Sequence, residues 1–239
     1  MELVLFVITV SVACLLQAII GFGSALLATP LALIYLDKET VVSSMVVVGL
    51  VLNGYLSRRI REPIDSKLVG LLFLASLVGM PVGLLILRAI PINLMKILVG
   101  ILVVIFTAAL YFGRFRIPDS KLFTAIAGLL SGLTNTSTSM GGPPVLLLLA
   151  GRGLPKNEFR RTLVSFFFLM GVVSLLLFVA GRVMTLQRAG FGLVSVPFVF
   201  LAGLVGDKIA ARLPQRPFRL LALGTLFLAG FCSILAGLT

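Results

Sequence analysis

Eight apolar runs separated by short clusters of charge decide what this chain can fold into. They are Leu3–Leu36, Val41–Leu56, Leu68–Leu87, Leu94–Phe112, Leu122–Ala150, Leu163–Ala180, Gly190–Ala211 and Phe218–Leu238. An α-helix needs ~20 apolar residues to cross the hydrocarbon core of a bilayer. A soluble core accounts for one such run, not eight. Composition agrees: 59% of residues are hydrophobic, where soluble domains hold about 45–50%. The chain therefore reads as an all-α polytopic membrane protein with a single membrane domain over residues 1–239.

The net charge of +12 would suggest nucleic acid in a soluble protein. Here the basic residues sit in short loops between apolar runs, where they set topology, and no nucleic-acid-binding module fits into those loops. Cys14 and Cys232 both lie inside apolar runs, and the chain has no His, which excludes a Cys/His metal site and disfavours a disulfide. The stretch Leu3 to Leu16 resembles a signal-peptide core but lacks a basic leader and a small-residue cleavage site, so it reads as mature structure.

Six of the runs read as ordinary single crossings. The first and fifth are too long for one crossing and are interrupted by small and helix-breaking residues. The first breaks at Gly21-Phe22-Gly23-Ser24, with Pro30 following. The fifth breaks within Asn135-Thr136-Ser137-Thr138-Ser139-Met140-Gly141-Gly142-Pro143-Pro144. Pro30 and Pro144 each open a similar apolar run. Gly79-x-x-x-Gly83 recurs as Ala202-x-x-x-Gly206, and the prolines Pro91 and Pro214 follow Gly83 and Gly206 at the same spacing. The chain thus reads as two repeats, approximately residues 1–115 and 120–239. The small-xxx-small pairs let helices approach closely.

Loop charge orients the halves. If both interrupted runs are re-entrant hairpins, fifteen of the basic residues face one side and five face the other, namely Lys38, Arg88, Lys96, Arg182 and Arg188. The positive-inside rule puts the fifteen in the cytoplasm and both termini outside, in a cell inner membrane. Each half then has one hairpin followed by three transmembrane helices. Three is odd, so the second half is inverted relative to the first. That is the plan of transporters whose broken helices meet at a central binding site.

The tips of the hairpins carry the chemistry. Asn135, Thr136, Ser137, Thr138 and Ser139 are five consecutive hydrogen-bonding side chains in an otherwise apolar chain. Gly141 and Gly142 expose backbone N–H groups, and proline suits the first turn of the helix that follows. Gly21, Gly23 and Ser24 offer the same in the first half. Two helix N-termini with free N–H groups and hydroxyls form an anion site without a buried cation. The alternative is that the hydroxyls only satisfy broken backbone. Gln17 and Asn53 are each either ligands or helix–helix hydrogen bonds, and Tyr35, Tyr55 and Tyr111 stand at segment ends where aromatics mark the membrane interface. No acidic residue falls clearly mid-segment, which argues against a proton relay and against acid–base catalysis. No Walker motif occurs, so no cofactor or direct ATP drive is expected.

The run Gly132-Leu133-Thr134-Asn135-Thr136-Ser137-Thr138-Ser139-Met140-Gly141-Gly142-Pro143-Pro144, followed by Leu154-Pro155-Lys156-x-x-Phe159-Arg160-x-Thr162 and Phe166-Phe167, resembles the TauE/SafE sulfite exporter family. Gly21-Phe22-Gly23-Ser24 through Pro30 is similar to the family's first-half signature. The resemblance covers essentially the whole chain. It implies transport of sulfite, thiosulfate, sulfonates or related small acids. It also implies substrate contacts at Gly21, Gly23 and Ser24, at Asn135 to Ser139, and at Gly141 and Gly142. Arg160 matches the family's Phe-Arg-x-Thr element. At the cytoplasmic mouth it either attracts anions or sets topology. The expected partners are a small anionic substrate and the lipid bilayer. Uptake or exchange of an organic acid, and a non-transporting membrane scaffold, stand as alternatives.

Overall fold

In the computed structural model the described residues are 1–20, 22–60, 63–112, 117–210 and 215–238. Among them there are ten α-helices and no strand. They are α1 (Glu2–Ile20), α2 (Ser24–Ala32), α3 (Lys38–Arg59), α4 (Ser66–Ala89), α5 (Ile92–Phe112), α6 (Lys121–Thr138), α7 (Gly142–Arg152), α8 (Lys156–Ala180), α9 (Leu186–Ala210) and α10 (Gln215–Leu238). Helices are what a bilayer demands, since every backbone N–H and C=O must be satisfied within the segment. Six of them, α1, α3, α4, α5, α8 and α9, are long and apolar enough to cross a membrane. The breaks divide the long runs unequally: α1 alone has crossing length, while α2 has 9 residues and α7 has 11.

Side-chain caps fix where the long helices begin. Asp37 accepts from the Thr40 N–H at 2.9 Å, Asp65 from Lys67 and Leu68 at 3.0 Å, and Ser120 from Leu122 at 3.2 Å. Cations close several helix ends by taking carbonyls. Lys38 reaches Arg88 O and Ile90 O after α4, Arg88 reaches Gly181 O after α8, and Arg161 reaches Ser57 O near the end of α3. Glu39 pairs with Arg188 in the same region as Lys38. At the opposite end of the bundle Asp119 pairs with Arg152 at 3.0 Å, and Ile117 N–H meets Gly151 O at 3.0 Å. The α6–α7 unit therefore leaves from and returns to one end. The α1–α2 unit behaves likewise at the other end: Tyr35, just past α2, donates to Thr9 Oγ1 of α1 at 3.3 Å, and Phe6 of α1 packs edge-on at 5.8 Å to Phe191, three residues after the Arg188 that pairs with Glu39 at the start of α3.

Packing is densest where small residues meet. α4 lies along α6 and α1 along α9; α5 pairs with α10 and α3 with α8. A Cβ on Gly79 or Gly83 would overlap the Leu129 or Leu133 carbonyl of α6, and one on Gly128 or Gly132 would overlap the Leu72 or Ser76 carbonyl of α4. Two small-xxx-small pairs thus interlock. At the α1–α9 contact Gly206 faces Ala18 and Leu15. Exchanging α1–α5 for α6–α10 carries the α4–α6 contact onto α9–α1 and the α3–α9 contact onto α8–α4.

The prolines after the two breaks sit differently: Pro30 lies inside α2, near its end, whereas Pro143 and Pro144 fill the first turn of α7. Proline is tolerated at a first turn because its missing N–H would be unpaired there anyway; inside a helix it costs one bond to the preceding turn, and α4 and α9 continue through Pro81 and Pro197 as α2 does through Pro30. Tyr35 and Tyr55 turn inward, Tyr35 donating to Thr9 Oγ1 at 3.3 Å and Tyr55 packing on Phe200; Tyr111 is exposed.

Candidate functional site

The two breaks open on one cavity of about 70 Å³. A single water needs at least ~10–15 Å³ on this measure, so the space suits a small polyatomic anion rather than a bulky ligand. Its polar lining is Gln17, Ser24, Asn53, Asn135 and Ser139, with Gly23, Gly141 and Gly142 at the breaks. Apolar side chains from α2, α3, α7 and α8, among them Met45, Leu146 and Phe167, close the rest. Among the described residues, no charged side chain lines it.

Both short helices start at this cavity after a glycine that supplies no side-chain cap, and the Ser24 N–H of α2 is met instead from α1 by Gln17 Oε1 at 3.3 Å. α2 is preceded by Gly23 at φ +109°, a conformation open to glycine but strained for other residues. α7 is preceded by Gly141 at φ −69°. The first-turn N–H groups of a helix have no partner within the helix, and the macrodipole adds positive potential there. Aimed at one small cavity, two such ends attract negative charge. Gly141 owes its identity to space: a Cβ there would lie 2.8 Å from Asn135 Cβ and 2.9 Å from Ser131 O.

α6 ends differently from a flexible loop. It stays helical through Thr138, then turns at Ser139, whose φ of +61° is rare for a residue with a side chain. Ser139 N–H donates to Asn135 O at 2.8 Å, its hydroxyl donates to Val42 O at 3.2 Å, and the Ser131 hydroxyl donates to Gly141 O. Three hydroxyls of the polar run point back onto backbone. Thr136 donates to Met80 O at 2.6 Å and Gly132 O at 3.1 Å, Ser137 to Leu133 O at 2.8 Å, and Thr138 to Thr134 O at 2.7 Å. A hydroxyl has one proton, and these are used.

The residues expected at the site therefore fall into groups. Gly23, Ser24, Asn135, Ser139, Gly141 and Gly142 meet around the cavity. Thr136, Ser137 and Thr138 are buried but not among its lining. Gly21 lies outside the described residues. Arg160 is buried and donates to Ala18 O at 3.0 Å, at the C-terminal end of α1. Gln17 and Asn53 bond to each other, Gln17 Nε2 donating to Asn53 Oδ1 at 3.0 Å, and both line the cavity. The sequence reading missed Ser174. Asn135 Nδ2 donates to its hydroxyl at 2.8 Å. One of two serines in the apolar run of α8, it becomes visible only through this pair, which ties α6 to α8 as Gln17–Asn53 ties α1 to α3.

No curated protein and no solved structure matches the chain. The family model for the sulfite exporter TauE/SafE matches residues 5–232. With that match running over nearly the whole chain, and six helices of membrane-crossing length within it, the protein belongs to the TauE/SafE sulfite exporter family of membrane transporters.

Proposed function

We propose that the protein is a secondary carrier or facilitator that moves a small anion, a sulfur oxoanion or organosulfonate, outward across the cell inner membrane. The carrying observation is the convergence of two helix N-termini, of α2 and α7, neither capped by the residue before it, on one small cavity whose described lining holds amides and two serine hydroxyls and no charge. Backbone N–H groups and dipole ends stabilise an anion there without trapping it as a buried cation would. The substrate contacts in this reading are Gly23, Ser24, Asn135, Ser139, Gly141 and Gly142. Asn135 keeps a second amide proton beyond the one given to Ser174. Thr136, Ser137 and Thr138 hold the end of α6 in place. Arg160 offsets the negative end of α1 and so lowers the barrier for an anion arriving from the cytoplasmic side.

The single membrane domain then comprises an inverted duplication, α1–α5 against α6–α10, with α1–α2 and α6–α7 as opposed re-entrant units. Support comes from the packing exchange of the helices and from the return of each unit to the end it left. The fifteen-to-five division of basic residues puts both termini outside. Export suits the energetics, because a monovalent anion leaving a cell that is negative inside gains ~2.3 kcal/mol per 100 mV.

The test is flux from proteoliposomes loaded with sulfite, thiosulfate, sulfoacetate, isethionate or carboxylate analogues. Voltage-dependent efflux of the sulfur anions in preference to carboxylates is expected. Preference for carboxylates would turn the reading to an organic-acid carrier, and no flux of any anion would leave a membrane scaffold.

A further inference from the structure

We infer that Gln17 is the protein's own stand-in for the anion, a neutral oxygen that closes the α2 end of the cavity until substrate displaces it. Gln17, Ser24 and Asn53 all line the cavity and are each about 95% buried or more, at 4%, 5% and 5% exposure. Gln17 Nε2 donates to Asn53 Oδ1 at 3.0 Å, which turns the amide oxygen toward Ser24. That oxygen accepts both donors of Ser24, the backbone N–H at 3.3 Å and the hydroxyl. These are the donors an oxoanion would need at the first break. An amide oxygen carries partial negative charge and accepts two hydrogen bonds, so it mimics one oxygen of an oxoanion.

The second break has no such guard. Asn135 stands seven positions before Gly142, as Gln17 stands seven before Ser24, yet it sends its amide group away to Ser174 at 2.8 Å. The α7 end is thus open to the anion, while the α2 end is filled from within. In a cavity of about 70 Å³ the anion and the Gln17 oxygen compete for one place. Displacement leaves the amide still paired, because Nε2 keeps Asn53 as a partner while the oxygen swings from Ser24. The anion therefore docks first at α7 and engages α2 only by releasing Gln17, and the returning side chain helps expel it. Gln17 is a positioning residue in this scheme, which rests on the transport reading above.

The test compares Gln17→Met, which keeps volume and loses the oxygen, with Gln17→Glu, which makes the stand-in a true anion. Flux of sulfite and of isethionate is measured in proteoliposomes, with thermal melting of each variant in parallel. Gln17→Met should lower KM about tenfold, the factor set by one or two displaced neutral hydrogen bonds, and lower kcat as well. Gln17→Glu should raise KM by more than about tenfold for the same reason with a charged competitor. Either variant that folds decides the matter. A role confined to packing would lower melting temperature and leave KM at the parental value in both, which overturns the inference while the parent still transports. A parent that moves neither probe overturns the transport reading itself and this inference with it.

Discussion

The two breaks face one cavity but are built from different materials. Between α1 and α2 the chain turns through glycine at φ +109°, and the new helix is met by one side chain, Gln17. Between α6 and α7 the turn is made by Ser139 at φ +61° and pinned by hydrogen bonds that Ser131 and Ser139 donate and one that Thr138 accepts from the Met140 N–H, with two prolines to start the next helix. The supporting contacts differ in the same sense. α6 lies against α4 through interlocked glycines on both helices, whereas α1 meets α9 with Gly206 against Ala18. The second break is a fixed platform. The first is held by a contact that a ligand can replace.

The largest expected effect follows from that difference. A Cβ at Gly83 would overlap Leu133 O and Thr136 Oγ1, backbone and a bonded hydroxyl that cannot yield. At Gly206 it would meet Ala18 Cβ at 2.5 Å and Leu15 O at 2.9 Å. Overpacking costs ~1–3 kcal/mol and more where nothing can shift, so Gly83→Ala should lose most of the folded protein and Gly206→Ala a fraction of it. Thermal melting in detergent checks this; equal losses would mean the two platforms are equally rigid.

Next come the polar residues of the second break. Asn135→Ala removes a donor that reaches the cavity, and a hydrogen bond to a charged group contributes ~1.5–3 kcal/mol, so substrate affinity should fall roughly ten- to a hundred-fold. Thr136→Ala, Ser137→Ala and Thr138→Ala remove hydroxyls already given to carbonyls. Each should leave flux per folded molecule within about twofold while lowering stability by about 1 kcal/mol, most for Thr136, whose bond to Met80 O crosses to α4. Flux and melting measured on the same preparations separate the two groups. A hundred-fold flux loss in Thr138→Ala would place the anion on the far side of the α6 terminus.

Much of this was legible in the sequence. Apolar run length announced the helices, and Gly-Gly-Pro-Pro announced the start of α7, because glycine and proline act through backbone sterics that need no partner. The polar run from Asn135 to Ser139 announced a break but not which side chains turn inward. In a helix a serine or threonine hydroxyl can bond its own preceding turn, and only the position of α4 and α3 decides whether it does. The match of Gln17 with Asn135 was hidden because the two amides differ and their partners, Asn53 and Ser174, lie on other helices.

The smallest expected effect concerns what the two breaks share. Among the described residues neither contributes a titratable side chain to the cavity lining, whose polar groups are amides, hydroxyls and backbone. A proton gradient can drive transport only through a group whose protonation differs between the two faces of the cycle. Voltage acts on the anion directly, at ~2.3 kcal/mol per 100 mV for one charge. In proteoliposomes, efflux of isethionate should follow imposed voltage and stay unchanged when a pH gradient is applied at clamped voltage. The substrate must be a strong-acid sulfonate, because a titrating anion such as sulfite would carry its own proton and mimic coupling. Uphill accumulation of isethionate driven by pH at zero voltage would require a titratable group in the transport path that the cavity between the breaks does not supply.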